Sequence, residues 1–393
     1  MTPREEKLLD ALAKKLARDG QSTWLSPAEI GDLLSPLRNA NSASEGASIS
    51  RDLANLSAAK LIVTEGSTRS RRIKLNESSE QYLRWDLSRH AELRTPVPYK
   101  KEILASYVPN QTKWLPATIR IESNALEKQR VSPENYRRVL NSLVIDLTYA
   151  SSNLENVNIS WLDTKALVEF GATPNGLSEK DLQIVMNHKT ALQFMCEHRT
   201  DLDVCHRDIC DLHSQLMLGL LADTSAIGKI RNNVVYFDGS RYQPIGNEFV
   251  LREEFDSFCE KASQIEDPHE KALFTMAFMP YLQPFQDGNK RTSRLTMNIP
   301  LVKASLAPFS FTAVNKADYM FALLAFYERG RTDFLANVYV DAYRVSAEKY
   351  NDLLKLLGDG GSLATLAISP EPSSGLAHEQ RDNEADFGMA PAG

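Results

Sequence analysis

Gln283-Pro284-Phe285-Gln286-Asp287-Gly288-Asn289-Lys290-Arg291-Thr292-Ser293-Arg294 lies between two segments whose apolar residues recur at helical spacing. Pro284 removes a backbone donor and ends the first helix, and Asp287-Gly288 turns the chain. The next helix then opens with free backbone N–H groups beside Asn289, Lys290 and Arg291, an end that attracts phosphate. A lone carboxylate beside such an end would repel phosphate, so Asp287 makes sense if Mg²⁺ bridges it to phosphate oxygens. Arg291 and Arg294 fall three apart on the helix, and their planar forks suit bidentate contacts to one polyphosphate. The plainer alternative is a loop followed by a surface helix carrying solvated cations.

The segment resembles the Fic signature, in which His-Pro-Phe is followed by an acidic residue, Gly-Asn and two arginines. Only the first position differs: Gln283 stands where the family has histidine. The resemblance implies that this loop and helix bind ATP with Mg²⁺ and that the usual reaction moves AMP onto a protein hydroxyl. It assigns Asp287 to the metal, Gly288, Asn289 and Lys290 to the nucleotide, Arg291 to the phosphates and Arg294 to the terminal phosphate.

Two further elements follow the family's order. Ser151-Ser152-Asn153-Leu154-Glu155-Asn156 resembles the inhibitory helix motif of Fic proteins. By that likeness Ser151, Glu155 and Asn156 form a latch in which Glu155 pairs with Arg294 and bars it from the terminal phosphate. Residues 228–244 alternate in β fashion and resemble the Fic flap, a short β-hairpin expected to hold a target protein by edge pairing through Gly228, Arg231, Val234, Tyr236 and Tyr242. Tyr107-Val108-Pro109-Asn110 and the run from Asn298-Ile299-Pro300-Leu301 to Tyr343 extend the likeness, so that a mainly α Fic (Fido) domain is expected over 99–350.

Gln283 alters the expected chemistry. In the family the histidine at this place takes the proton of the attacking hydroxyl, a task suited to a group titrating near neutrality. A carboxamide can hydrogen-bond a hydroxyl but cannot accept its proton at physiological pH. Losing a general base costs roughly 10²–10⁴ in rate. Two readings stand: a slow protein adenylyltransferase held back by Glu155, and a non-catalytic nucleotide sensor that regulates transcription. His206, Cys210 and His213 share one helix face and are weighed as a replacement base. With Cys196, His198 and Cys205 they also invite zinc, but no tight Cys-x-x-Cys pair is present, and core thiols beside partly exposed imidazoles explain them more simply.

Residues 1–75 read as three helices and a strand-turn-strand, a pattern resembling a small α+β winged helix-turn-helix. That resemblance points to DNA contacts from Ser50, Arg51, Asn55, Arg69, Arg71 and Arg72. This segment carries 12 lysines and arginines against 9 acids, a surplus of only +3, so docking of a protein stands beside DNA binding. Residues 76–98 read as a linker, and 358–393, rich in Gly, Pro, Ser and acids, as a disordered tail.

Across all 393 residues the formal net charge is −6, with 42% hydrophobic and 24% charged residues, near ordinary globular values. There is no apolar run of membrane length and no leader pattern at the start. Four cysteines are too few for a disulfide-stapled secreted chain of this length. A cytoplasmic protein with no membrane association is expected, and a homodimer is left open.

Overall fold

Asp267-Pro268 opens the helix around which the larger part of the chain is built. Asp267 accepts from the backbone N–H groups of His269 and Glu270, and Pro268 occupies a first-turn position where its missing donor costs nothing. In the computed structural model, which describes residues 1–19, 24–26, 29–30, 33, 45–66, 70–116, 133–237 and 239–358, this helix spans Pro268–Leu282 and is buried on every face from Ala272 onward. A helix apolar all round belongs in the centre of a bundle.

Numbered in chain order, the described helices of eight or more residues are α1 (Pro3–Asp19), α2 (Glu45–Ala58), α3 (Glu80–Ser88), α5 (Pro133–Leu154), α6 (Trp161–Phe170), α7 (Glu179–Glu197), α8 (His206–Met217), α9 (Glu248–Gln264), α10 (Pro268–Leu282), α11 (Asn289–Thr296), α13 (Lys316–Arg329) and α14 (Asp333–Gly358). Two short ones, α4 (Lys101–Ser106) and α12 (Ile299–Lys303), complete the series. The fold is mainly α, as expected: apolar residues recur at helical spacing around 132–150, 178–198, 206–221, 247–263 and 267–282, and a helix lies in each stretch. The central core gathers Phe258, Phe274, Phe278, Tyr281, Phe326 and Tyr339 with the apolar faces of α5, α7, α8 and α14. Helix α14 runs beyond the expected domain end at 350.

The N-terminal unit has its own core of Leu8, Leu9, Leu12, Leu53, Leu56 and Ile73. Strands β1 (Ile62–Glu65) and β2 (Arg72–Leu75) pair antiparallel, and Leu25 bridges to Ile73. The described parts match a helical unit with one hairpin; the expected second helix falls largely outside the described residues.

Two expectations are corrected. Residues 76–98 are not a mere linker: Ser79 caps α3, with its Oγ accepting from Tyr82 N. That helix lays Tyr82 and Trp85 on the N-terminal core and Leu83 and Leu87 on the central one. Its Asp86 binds both Arg89 and Arg329, so α3 is a splice between the two units. Residues 228–244 form no hairpin ladder among the described residues; their strand is β4 (Tyr242–Gln243), which pairs parallel with β3 (Val97–Pro98). Gly228 and Arg231 instead tie this segment to the bundle, through His213 Nδ1 and through the Gln283 carbonyl. The tail at 359–393 lies outside the described residues.

Candidate functional site

Helix α10 stops at Gln283, whose backbone is left-handed at φ 49° and ψ 56°, a conformation unusual for a residue with a side chain. Its carboxamide is bonded at both ends. Nε2 donates to Pro280 O at 2.8 Å, and Oε1 accepts from Asn289 Nδ2 at 2.8 Å. Asn289 in turn accepts from Phe285 N at 2.9 Å and donates to Phe285 O at 2.8 Å, closing the loop on itself. Gln283 is thereby buried, and its amide serves as a staple.

Gly288 begins α11 at φ 76°, and a Cβ there would stand 2.5 Å from Met217 Sδ on α8. Only glycine combines that dihedral with so close an approach. The first intrahelical acceptor is Gly288 O, bonded by Thr292 N, so the first-turn amides of Asn289, Lys290 and Arg291 have no acceptor within the helix. At the mouth, the Asp287 carboxylate is 64% exposed, with Oδ1 accepting from Gly288 N at 2.5 Å and Oδ2 lying 3.2 Å from Arg291 Nη2.

Arg291 and Arg294 are both buried, which is costly for cations unless each is answered by an acceptor. Glu155, at the end of α5, answers them. Its Oε1 accepts from Arg294 Nη2 at 2.6 Å, and Oε2 lies 3.4 Å from Arg291 Nε. Burial alone would raise the Glu155 carboxyl, but Arg294, Arg291 and Lys290 together outweigh it and hold the group down to about 2. Even so, Arg291 Nε and Nη1 are buried without a hydrogen-bond acceptor among the described residues. Lys290 sits with its ammonium 5.2 Å from the Phe237 ring centroid, and burial lowers its pKa. Asn156, left-handed at φ 64°, turns the chain after Glu155 and accepts from Lys316 on α13.

Two histidines brace this frame. His213 stacks on Phe285 with ring centroids 3.8 Å apart, accepts at Nδ1 from Gly228 N (2.9 Å) and donates from Nε2 to Asp287 O (3.1 Å). Burial, with Arg291 nearby, lowers its pKa to about 4, so it is a neutral bolt with both nitrogens engaged rather than a replacement base. His206 is on the exposed side, bonded to Asp256 at 2.8 Å. His188 on α7 lies 2.9 Å from Ser151 Oγ, which accepts from Arg294 Nε at 3.1 Å. Neither brace was legible as such, because a histidine within an apolar helical face reads as core.

The segment 228–244 meets the loop through Arg231. Its backbone N donates to Pro284 O at 2.9 Å, while its guanidinium donates to Gln283 O (2.6 Å), Asn233 O (2.5 Å) and Ile245 O (2.6 Å). Arg231 is buried, as is Tyr242, whose hydroxyl donates to Tyr281 O at 2.7 Å. Those two expected target-facing residues are therefore internal supports. Val234 and Tyr236 are exposed, the latter at 84%. The far end is clamped by Glu328, whose Oε1 accepts from Arg94 Nη1 (2.7 Å), Ser240 Oγ (2.8 Å) and Arg241 N (3.1 Å).

In the N-terminal unit, Ser50, Arg51 and Arg72 are exposed and Arg71 is half-buried. Asn55 is already committed, its Nδ2 donating to Glu5 Oε1 at 2.8 Å. Arg69 lies outside the described residues. All four cysteines are free, and no group of three or more His, Cys, Asp or Glu side chains is placed to hold an ion among the described residues. Within the same limits, no helix is long and apolar enough to cross a membrane.

Residues 203–301, which include α8, the flap-like segment and the whole signature loop, match the model of the Fic/DOC family. Protein adenylyltransferase fic-1 of Caenorhabditis briggsae is 26% identical over 197 residues, 48% of this chain and 37% of that relative. Protein adenylyltransferase Fic of Drosophila melanogaster is 25% identical over 185 residues, 47% of this chain and again 37% of the relative. The match thus spans little more than a third of the length of these curated relatives. A solved Fic-1 structure from C. elegans superposes with a TM-score of 0.50 at 17% identity, over 90% of this chain and 99% of that one. A Fic family protein from Desulfovibrio desulfuricans G20 gives 0.51 at 19%, over 64% and 86% respectively. These two likenesses concern the fold.

Proposed function

Because the chain is a Fic-domain protein, we propose that its signature loop binds ATP with Mg²⁺ and transfers AMP slowly to a protein hydroxyl, with Glu155 holding the site closed to transfer. The observation that carries this reading is the pair of buried guanidinium groups on α11, Arg291 with an unanswered Nη1 and Arg294 occupied by Glu155. A polyphosphate supplies the missing acceptors, and the free amides at the helix start add to them.

Asp287 fits a metal of this kind. Mg²⁺ commonly takes one or two carboxylates plus substrate phosphates, not a cage of protein ligands, and Asp287 is exposed at the mouth of the loop. The ion would neutralise charge on the phosphates. In transfer, the target's hydroxyl oxygen bonds to the α-phosphorus, the α–β phosphoanhydride bond breaks and pyrophosphate leaves. Arg291 balances the charge and the helix amides orient the chain of phosphates. Arg294 can reach the terminal phosphate only after leaving Glu155. The hydroxyl proton has no side-chain acceptor at Gln283, whose amide is already bonded at both ends, and passes to water.

That same inward bonding favours the second reading, a nucleotide sensor acting through the N-terminal unit. α-Labelled ATP, Mg²⁺ and cell lysate separate the two when supplied to wild type, Glu155→Gly and Gln283→His. Labelled protein from Glu155→Gly with Gln283 intact supports the transferase; label confined to Gln283→His supports the sensor. The exposed Val234 and Tyr236 are the proposed docking surface for a target protein. Ser50, Arg51, Arg71 and Arg72 are proposed to contact DNA, and a low-salt gel shift with random genomic fragments that shows no retardation would leave the N-terminal unit as a docking module.

A further inference from the structure

Building on the reading of Glu155 as a latch, we propose that His188 is a positioning residue for Arg294, acting through Ser151 to fix the direction in which the Arg294 fork points while the site is closed. The hydrogen-bond directions follow from what each atom can do. His188 Nδ1 lies 3.0 Å from Ile184 O, and a carbonyl can only accept, so Nδ1 carries the proton and Nε2 is bare. Ser151 Oγ, 2.9 Å from that bare nitrogen, must give it its single hydrogen. The hydroxyl lone pairs are then left to accept from Arg294 Nε at 3.1 Å, while Ser151 O accepts from Arg294 Nη2 at 3.3 Å.

Every member of this chain is buried, so water does not substitute for a missing partner. A serine within a helix ordinarily turns its hydroxyl toward the carbonyl of the preceding turn. His188 keeps Ser151 from doing so by offering a better-placed acceptor. Burial, together with Arg294 and Arg291, keeps the imidazole neutral, its pKa lowered to about 3. His188 is therefore a fixed acceptor, and through Ser151 it acts on Arg294 at Nε, while Glu155 holds Nη2. The latch then has two parts: a carboxylate that holds the charge of Arg294 and a Ser151–His188 relay that holds its direction.

The test combines variants with a measurement on the unaltered protein. In the full chain, Ser151→Ala and His188→Leu are each expected to tighten Mg-ATP binding by about five-fold in calorimetry, with the double variant no tighter than either, because both cut one chain. Additive effects, or no effect of His188→Leu, would overturn the proposal. In the wild type, ¹⁵N-histidine spectra are expected to show His188 protonated at Nδ1 and bare at Nε2, unchanged from pH 8 to pH 5.5. The opposite tautomer, or a titrating ring, would overturn it without any variant having to fold. If even Glu155→Gly binds no Mg-ATP, the nucleotide reading fails on its own. The Arg294 Nε–H resonance then decides the relay: a shift in His188→Leu matching that in Ser151→Ala supports it, and an unmoved resonance refutes it.

Discussion

Glu155→Gln removes the latch charge and keeps the size of the side chain. In the folded chain the Glu155 carboxyl is held at about 2 against an ordinary 4.5, with Arg294 and Arg291 outweighing the effect of burial. At roughly 1.4 kcal/mol per tenfold change in proton affinity, that gap is about 3 kcal/mol of stability at neutral pH. The folded value is the depressed one, so the stabilisation is complete above about 4.5 and drains away as pH falls toward about 2. By pH 4, about 1 kcal/mol of it should be gone. Urea unfolding at pH 7.5 is therefore expected to place Glu155→Gln about 3 kcal/mol below wild type, with the difference narrowing at pH 4. The variant leaves Arg291 and Arg294 without the carboxylate they share, so inorganic triphosphate should raise its melting temperature more than that of wild type. Equal stabilities at pH 7.5, or a difference that does not narrow on acidification, would refute the assignment of Glu155 as the counter-charge of both arginines.

Three further outcomes are expected. Gly288→Ala forces a Cβ onto Met217 Sδ and a side chain into φ 76°, which should cost about 2 kcal/mol in urea unfolding and abolish calorimetric binding of Mg-ATP. His213 has its folded pKa lowered, first by burial, to about 4 from 6.5, so its contribution is present above 6.5 and lost as pH falls toward 4; His213→Gln should flatten that part of the stability-pH curve. Glu328→Gln leaves Arg94 buried without its counter-charge and should cost about 3 kcal/mol, with limited proteolysis newly cutting near Gly239–Arg241.

Most of the helices were legible because their apolar residues recur at helical spacing and each faces a single core. Helix α3 was not legible for the opposite reason. Tyr82 and Trp85 serve one core and Leu83 and Leu87 another, so no single stripe forms, and the flanking Asn76-Glu77-Ser78-Ser79 and Pro96-Val97-Pro98 look like punctuation. The alternation Val234-Val235-Tyr236-Phe237 suggested a hairpin, but alternation reports two faces and says nothing about a partner strand. Arg231 holds the segment by hydrogen bonds to three carbonyls that lie far from it or beside it in sequence. In the signature loop, residue types alone suggested anion binding at Asn289, Lys290 and Arg291. The bracing by His188 and His213 depends on helices α7 and α8 arriving at the loop from elsewhere, which no local pattern encodes.

Two independent brakes act on the proposed transfer, and their sizes determine how it can be detected. If parting Arg294 from Glu155 costs about 3 kcal/mol, the order usual for breaking a buried ion pair, the open arrangement is roughly one part in 150 of the population. The absent base at Gln283 removes a further 10² to 10⁴, approximately. The first brake acts on how often the site is open and the second on the chemical step, so they multiply to roughly 10⁴–10⁶. Wild-type protein would then give almost no label on any ordinary time scale, even with an intact transferase frame. Glu155→Gly lifts only the first brake. Label from that variant with Gln283 in place would mean that Asp287, Arg291 and the helix amides suffice to position the reaction. Its absence, with Mg-ATP still bound, would mean that the two bonds holding the Gln283 amide have turned the loop into a reader of nucleotide.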